Sequence, residues 1–119
     1  MQVEYWQTSR GEAPVENFIA DQPSKAQAKI AWTIGLLENM GIGLLKTKHM
    51  ASLRGYRRML YELKVDIMRS YYRILFVVVL GDRAYLLHAI SKKTNKTSKN
   101  DITIALDRAD TLADRLDSR

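Results

Sequence analysis

The sequence predicts an α+β fold with a small, mostly antiparallel sheet. Three observations lead to this class: two helical stripes of apolar residues stand early in the chain, three strand-like segments follow one another, and a further amphipathic stripe comes last. Strands that run consecutively, with helices grouped around them, favour an antiparallel sheet. The predicted order is β-α-α-β-β-β-α, with the first strand over residues 2–6 and a helical hairpin covering one face of the sheet.

The first two helices are marked by their end residues. Pro14 suits the first position of a helix, because its missing N–H would have no partner there. This helix ends before Pro23, which disfavours helical backbone in the residue that precedes it. Ser24 and Gln27 form a capping-box pattern at the start of the second helix, and Gly41 is suited to its end.

The second half of the chain is predicted to hold three strands and the last helix. Residues 41–58 are expected to form a loop or an irregular extended segment. Alternating and continuous apolar runs then indicate strands, which span residues 59–65, 69–80 and 83–91. Gly81-Asp82 is a hairpin turn signal, and Ser98 is placed to cap the helix that follows.

Length and composition indicate one domain with one core over residues 1–119. There is no cysteine, so disulfides, thiolate chemistry and metal ligation by cysteine are excluded, which fits a reducing compartment. The first residues lack the pattern of a signal peptide. The longest apolar run, residues 74–80, is far shorter than the roughly 20 residues that span a bilayer. We therefore expect a cytoplasmic protein that does not associate with a membrane.

Positive charge is concentrated in one part of the chain. The formal net charge is +6 and the sequence pI about 9.7. Residues 46–99 carry thirteen Lys and Arg and three acidic residues, a local net of +10, and the remainder has a net of −4. Charge segregated in this way produces a one-sided positive field, which favours polyanions. The alternative interpretation is an ordinary solvated strand and loop.

Several classes of site are not indicated by the sequence. Glycine-rich nucleotide-binding loops, Walker motifs, HExxH and GxSxG do not occur. His49 and His88 are too few and too far apart in sequence to suggest a metal site, so no metal or other cofactor is expected. The acidic residues of the last helix are interpreted as a solvated face; they are Asp107, Asp110, Asp114 and Asp117.

The side chains that remain as candidates for a reaction are cations and a few groups that can accept or donate a proton. RNA can be cleaved when its own 2′-hydroxyl attacks the adjacent phosphate, and a protein helps by supplying a base, an acid and cations for the phosphorane. Arg offers a permanently charged fork for phosphate oxygens, and His titrates near neutral pH. The candidates for this chemistry are Lys64, Arg73, His88, Lys92 and Lys93. The same residues also allow a structural ion pair, a packed core histidine and solvated lysines.

Other side chains are candidates for holding the nucleic acid rather than for chemistry. Tyr56 is able to stack a base, whereas Tyr72 is expected in the core. Trp32 lies off the apolar stripe of its helix and is expected to be a packed edge residue. Seven cations are candidates for contacts to the RNA backbone: Lys46, Lys48, Arg54, Arg57, Arg69, Lys96 and Lys99.

Residues 53–105 resemble the RelE/HigB superfamily of toxin–antitoxin toxins, most closely its phage-derived, HigB-like branch. The similarity is carried by LYELK in one strand, YRILF in the next, and LLHAISKKTNKTSKNDITIA at the end of the last strand and beyond. The upstream helical hairpin, PVENFI and PSKAQAKI, adds to it. Each piece is a weak signal by itself, but together they cover most of the chain.

The resemblance implies a RelE-like fold and a metal-independent endoribonuclease that cuts mRNA at the ribosome. It also implies a cognate antitoxin, expected to be a helix-turn-helix protein of HigA type. Arg73 matches the family's strand arginine, implicated in contacting the scissile phosphate, and Lys64 matches a basic residue on the neighbouring strand. Lys92 and Lys93 match the basic C-terminal part of the site, and His88 is a candidate acid or base.

Two departures from the family pattern leave roles open. Many members carry a tyrosine or histidine near the end of the last strand, but residues 92–99 hold neither, so the general acid is not identified. Glu62 stands where some relatives have a basic residue, and it is either a base or a salt-bridge partner of Lys64. Two other functions also remain open: a ParE-like toxin that targets DNA gyrase, and a non-enzymatic nucleic-acid-binding module.

Overall fold

The computed structural model describes residues 1–118 and confirms the α+β class, with one five-stranded sheet and three α-helices among them. The strands are β1 (Gln2–Tyr5), β2 (Met50–Leu53), β3 (Leu60–Ile67), β4 (Ser70–Val79) and β5 (Arg83–Lys92). The helices are α1 (Pro14–Ala20), α2 (Ser24–Met40) and α3 (Lys99–Asp117), and a 3₁₀ helix (Gly41–Lys46) follows α2. No helix of the described residues is both long and apolar enough to cross a membrane.

The prediction that residues 41–58 form a loop or an irregular extended segment is wrong in part. The 3₁₀ helix continues α2, and β2 pairs antiparallel with β3 in a register that places Ala51 opposite Glu62. A strand of four residues at the edge of a sheet has little pattern of its own, because its conformation is decided by the strand beside it. The next strand also extends two residues further than predicted, to Ile67.

The ends of the helices follow the sequence only partly. Gly41 ends α2 with a positive φ of 57°, which glycine adopts without a steric penalty. Ser98 caps α3, because its side chain accepts a hydrogen bond from the Asp101 N–H. The capping box at the start of α2 is wrong: Gln27 Nε2 donates instead to the carbonyls of Ala20 and Gln22, and so ties the α1–α2 turn together.

The sheet has the strand order β1-β5-β4-β3-β2. β1 lies parallel to β5, and the other neighbours are antiparallel. As predicted, α1 and α2 cover one face, where Ile30 and Leu37 pack with Ile74 and Phe76. The opposite face is covered by α3, whose Ala105 and Leu106 pack against the strands. The central strand β4 therefore carries core residues on both faces, which explains its long apolar run.

α3 covers only part of its face of the sheet. Its buried residues pack on one half, formed by Leu60, Leu75, Val77 and Leu87. Since side chains alternate along a strand, the same face continues beyond α3 with polar side chains: Glu62, Lys64 and Asp66 of β3, Tyr71 and Arg73 of β4, and His88 and Lys92 of β5. We refer to these seven residues as the polar end.

Candidate functional site

The strand register brings together four of the five residues predicted for chemistry. Lys64 and Arg73 are direct cross-strand partners on β3 and β4, so their Cβ atoms lie about 5 Å apart. Two further rows cross the same face. In one, Lys92 lies opposite Tyr71, and in the other His88 lies opposite Leu75, next to a β-bulge. Cations from three strands therefore share one end of one face.

Arg73 is buried within this end rather than displayed on it. Its side chain is 1% exposed. Nη1 donates to Asp66 Oδ1 at 2.7 Å and to the Tyr72 carbonyl at 2.8 Å, and Nη2 donates to Asn95 Oδ1. The Tyr71 ring lies 5.6 Å from the guanidinium carbon. The structural ion pair that the sequence left open as an alternative is thus present.

One donor of this buried guanidinium is unused. Nε of Arg73 is buried and has no hydrogen-bond partner among the described residues. An unpaired buried donor is costly, and it is uncommon in folded proteins. Arg73 therefore has one buried donor for which none of the described residues supplies an acceptor.

Residues 93–98, which we call the strap, cover the polar end. Asn95 accepts the hydrogen bond from Arg73, and Thr97 Oγ1 donates to Glu62 Oε2 at 2.8 Å. Glu62 is itself 8% exposed. Of the two roles predicted for Glu62, the salt bridge to Lys64 is not formed within residues 1–118, and the strap hydroxyl takes its place. Two side chains of the strap thus fasten it to the sheet, and Lys92 Nζ of β5 adds a third contact by donating to the Lys96 carbonyl at 3.1 Å.

His88 and Lys92 are connected by a carboxylate at the start of α3. Asp101 Oδ1 lies 2.9 Å from His88 Nε2, and Asp101 Oδ2 lies 2.9 Å from Lys92 Nζ. All three side chains are between 15% and 20% exposed. The hydroxyl of Ser98 also donates to Oδ2, at 2.5 Å. His88 is therefore neither a packed core histidine nor a free one, but is oriented by a carboxylate.

The Asp101 carboxyl keeps its charge over the physiological range. Burial raises its pKa, but the hydrogen bonds from Ser98, His88 and Lys92 outweigh burial and lower the pKa from 3.8 to about 2. A carboxylate that accepts from Nε2 favours the tautomer whose Nδ1 has the free lone pair. Asp101 lies in the first turn of α3, and its proximity to His88 depends on how α3 docks on the sheet.

A basic cleft of about 440 Å³ adjoins the polar end at the outer edge of the sheet. Its lining includes Lys64, Asp66 and Asn95, which belong to the polar end or the strap, and four residues beyond them: Lys29, Trp32, Lys48 and His49. The sequence predicted Lys48 and Lys64 but missed Lys29 and His49. The spacing of Lys29 and Trp32, three residues apart on one helix, was the available signal.

The expected packing of Trp32 is not observed. The residue is 56% exposed, and its ring meets the His49 ring edge-to-face, with 5.4 Å between centroids and 83° between planes. The buried residues of α2, including Ile30, Thr33 and Leu37, face the sheet, so position 32 is turned away from the core. By contrast, Tyr72 is buried, as predicted.

The remaining predicted cations are not all gathered at this site. Lys46 and Lys48 lie close in sequence on the cleft side of β2, whereas Arg54 and Arg57 follow the opposite end of that strand. The Arg57 guanidinium contacts Asp107 at 3.2 Å and Asp110 at 2.8 Å. Four other cations are exposed in the turn after β3, in the strap or at the start of α3: Arg69, Lys93, Lys96 and Lys99.

The sequence suggested that the acidic face of α3 is solvated, but part of this face is occupied by ion pairs. Asp110 also accepts a hydrogen bond from Arg58 Nε at 2.6 Å. The hydrogen bonds from Arg57 and Arg58 lower the pKa of Asp110. This exposed cluster ties the β2–β3 connection to α3. Within residues 1–118, no group of three or more His, Asp or Glu side chains is arranged to hold a metal ion.

Fold and site together define a small α+β protein with a cation-rich, histidine-containing surface suited to a polyanion. The chain belongs to the Gp49-like family of phage-derived proteins, since the family model "Phage derived protein Gp49-like (DUF891)" matches residues 17–110. This family is generally associated with toxin–antitoxin toxins of the RelE/HigB type. A search of curated proteins found no match. The resemblance is thus confirmed at the level of the family, and the HigB-like branch stays a prediction.

Proposed function

We propose that this chain is the toxin of a type II toxin–antitoxin pair and acts as a ribosome-dependent endoribonuclease on mRNA. The observation that supports the proposal is the register that gathers Lys64, Arg73 and Lys92 beside the His88–Asp101 pair. Membership of the Gp49-like family agrees with the toxin role. Its partners would be mRNA, the ribosome and a cognate antitoxin.

The proposed reaction uses the RNA's own 2′-hydroxyl as nucleophile and needs no metal ion. The 2′ oxygen bonds to phosphorus, the bond from phosphorus to the 5′ oxygen breaks, and a 2′,3′-cyclic phosphate and a free 5′-hydroxyl result. His88 takes the 2′ proton on Nδ1, with Asp101 holding Nε2–H and stabilising the imidazolium. Lys92, on the other oxygen of Asp101, donates the proton that the 5′ oxygen requires.

The charge that builds on the phosphorane is met by cations of the polar end. Lys64 lies at the junction of the polar end and the basic cleft, where it can reach a phosphate directly. Arg73 requires the strap to open, after which a phosphate oxygen replaces Asn95 and engages the unused Nε donor. Lys93, at the start of the strap, moves with it. Opening would couple RNA binding to assembly of the site.

The test is cleavage of a reporter mRNA in a translating extract, mapped by primer extension. Wild-type protein is compared with His88→Asn, Lys92→Gln and Arg73→Met. A matched control is Arg83→Gln, which changes an exposed cation at the opposite end of β5. We expect discrete cuts that are lost in the three site variants and retained in the control, with little cleavage of the same mRNA without ribosomes.

The other outcomes separate the alternatives. Cuts that persist in all three site variants would contradict this assignment of the site. RNA that is retained but never cut would favour a binding module, and intact mRNA together with arrested replication would favour a gyrase-directed toxin. Co-purification with the product of an adjacent small gene would support the antitoxin partner.

A further inference from the structure

Trp32 is the most conspicuous exposed aromatic side chain near the polar end. A tryptophan buries a large apolar area when it packs, and its exposure therefore leaves a substantial ring in water. Here the residue is 56% exposed, on a helix whose other face is part of the core. The ring meets His49 at nearly a right angle, so the two aromatic side chains form a corner rather than a closed stack.

The corner is surrounded by cations. Lys29 lies one helical turn before Trp32, Lys48 precedes His49 in the chain, and Lys64 extends from β3 into the same cleft. Lys29 Nζ donates to the Asp66 carbonyl, which fixes it at the rim. The carboxylate of Asp66 is paired with Arg73 and so offsets little of the charge. An aromatic surface bordered by three lysines combines the two features that single-stranded nucleic acids require.

We infer that the Trp32–His49 corner is a base-stacking subsite for single-stranded RNA, beside the position where the phosphodiester is cut. This inference rests on the proposed function and specifies how its substrate is held. A base lies against the indole, and the flanking phosphates lie against Lys29, Lys48 and Lys64. Lys64 belongs to both the cleft and the polar end, so one strand can pass from the subsite to the site of cleavage.

An exposed indole at the cleft favours an unpaired strand. The bases of a duplex are stacked on one another and present only their edges, whereas an unpaired base exposes its faces to an aromatic side chain. Stacking also tolerates different bases, because each has a π surface. The subsite therefore contributes affinity and position, with little base preference.

Fluorescence of the full-length protein tests the inference directly. Of the two tryptophans, Trp6 is 8% exposed and lies beneath Arg108 and Arg115, so a bound base reaches only Trp32. We expect a short single-stranded oligoadenylate to quench the emission. An abasic oligonucleotide of the same length and charge should bind more weakly without quenching. Equal binding and equal emission changes with both probes would overturn the inference.

Variants separate stacking from folding and from charge. Trp32→Ala should weaken oligoadenylate binding by roughly 5- to 150-fold, the range measured for loss of one aromatic stack, and leave abasic binding unchanged. Trp32→Phe, which keeps a ring, should restore most of the affinity. Tyr56→Ala is the matched control: the sequence also suggested Tyr56 for base stacking, but this residue, 42% exposed, follows the far end of β2 and does not line the basic cleft. An equal loss in Tyr56→Ala would contradict the subsite.

The cleavage assay distinguishes this inference from the function on which it rests. If wild-type protein cuts mRNA and Trp32→Ala cuts equally well at limiting mRNA, the subsite is overturned and the nuclease stands. If Trp32-dependent binding is observed without any cleavage, the subsite is supported and the nuclease is contradicted. In an active enzyme we expect Trp32→Ala to raise KM and leave kcat within about twofold.

Discussion

At the scale of single residues, Arg73 combines a structural and a proposed catalytic role. It is a permanently charged side chain at the centre of a sheet, 1% exposed, and its pairing with Asp66 and Asn95 offsets the cost of removing the charge from water. Asp66, by contrast, is 54% exposed. Removing Asp66 therefore leaves a buried guanidinium, whereas removing Arg73 leaves a carboxylate that is half exposed to water.

The two sides of this pair should respond unequally to mutation. Asp66→Ala leaves a buried guanidinium without its carboxylate and should lower the free energy of unfolding by about 3 kcal/mol. Arg73→Met removes the buried charge, keeps most of the volume and leaves an aspartate that water can solvate, so it should cost less. Urea denaturation of both variants measures the difference. A larger loss for Arg73→Met would show that packing of the guanidinium outweighs its charge.

Asp101 gives the protein a specific sensitivity to acid. Because its pKa is lowered to about 2 in the folded protein, its contribution to stability is present above the ordinary value of 3.8 and is lost as the pH falls toward 2. The shift corresponds to about 2 kcal/mol. Asp101→Asn should therefore lose less stability than the wild type when the pH falls from 4 to 2, as measured by thermal unfolding.

Asp114→Asn is the matched control for this titration. Asp114 is an exposed aspartate on the same helix, so its replacement should leave the acid dependence close to that of the wild type. An unchanged acid profile for Asp101→Asn would show that the contacts with Ser98, His88 and Lys92 do not stabilise the folded protein.

At the scale of elements, the connection between β4 and β5 is a strained hairpin turn. The predicted signal was Gly81-Asp82, but the central residues are Leu80 and Gly81, both with positive φ, and the Asp82 N–H donates to the Val79 carbonyl. Leu80 has a φ of 56° and is 92% exposed. A leucine in this region is strained, whereas asparagine followed by glycine is the preferred pair.

Leu80→Asn should therefore stabilise the protein by about 1 kcal/mol, the order of the left-handed penalty for an ordinary residue. The measurement is the urea midpoint at constant slope. Arg83→Asn, three residues later in β5, is a control that leaves the turn conformation unchanged. A lower midpoint for Leu80→Asn would show that Leu80 contributes packing that its exposure does not reveal.

The strap is held by few contacts and is the element most suited to local opening. Asn95 and Thr97 fasten it to Arg73 and Glu62. Each hydrogen bond contributes about 1 kcal/mol, which corresponds to roughly a fivefold change in the population of the open form. Tryptic cleavage after Lys93 or Lys96 should thus accelerate about fivefold in Asn95→Ala and more in the double variant Asn95→Ala/Thr97→Ala.

Thr103→Ala is the control for strap opening, since Thr103 donates only to the carbonyl at the start of its own helix. Its cleavage rate should equal that of the wild type. Global unfolding, followed by circular dichroism, should shift by no more than the lost hydrogen bonds account for. Cleavage at these lysines that is independent of Asn95 and Thr97 would contradict a strap held closed by these two side chains.

At the scale of the whole molecule, lysines are concentrated on the surfaces around the basic cleft and the polar end. The basic cleft and the polar end place Lys29, Lys48, Lys64 and Lys92 on neighbouring surfaces. At the far end of β2, Arg57 is occupied by Asp107 and Asp110. Lysines therefore gather around the cleft and the polar end, whereas the charge of Arg57 is balanced within a cluster of ion pairs.

The salt dependence of binding should report which cations contact RNA. The affinity for a short single-stranded RNA should fall linearly with the logarithm of salt concentration, and Lys48→Gln should reduce that slope by about 0.7, the value for one phosphate contact on a single strand. Arg57→Gln, with its guanidinium already paired, should leave the slope unchanged. Equal effects of both changes would indicate a diffuse field rather than a defined interface.

Much of the fold was predictable because the signals are local. The start of α1 at Pro14, the end of α2 at Gly41 and the cap of α3 at Ser98 each depend on a few neighbouring residues. Charge segregation and the apolar character of β4 are likewise visible in the sequence. β2 escaped prediction, because pairing with β3 rather than its own four residues makes it a strand.

The candidate site was predictable only as a set of residue types. The sequence by itself determined that Lys64, Arg73, His88 and Lys92 would be present on consecutive strands, because period-two alternation and a basic segment are encoded along the chain. Only the tertiary structure decided that Arg73 is hydrogen-bonded to Asn95, 22 residues later in the chain. It also decided that His88 contacts Asp101 and that Trp32 is exposed to solvent. The physical reason is that burial and hydrogen bonding depend on strand register and helix docking, which no short window of residues contains.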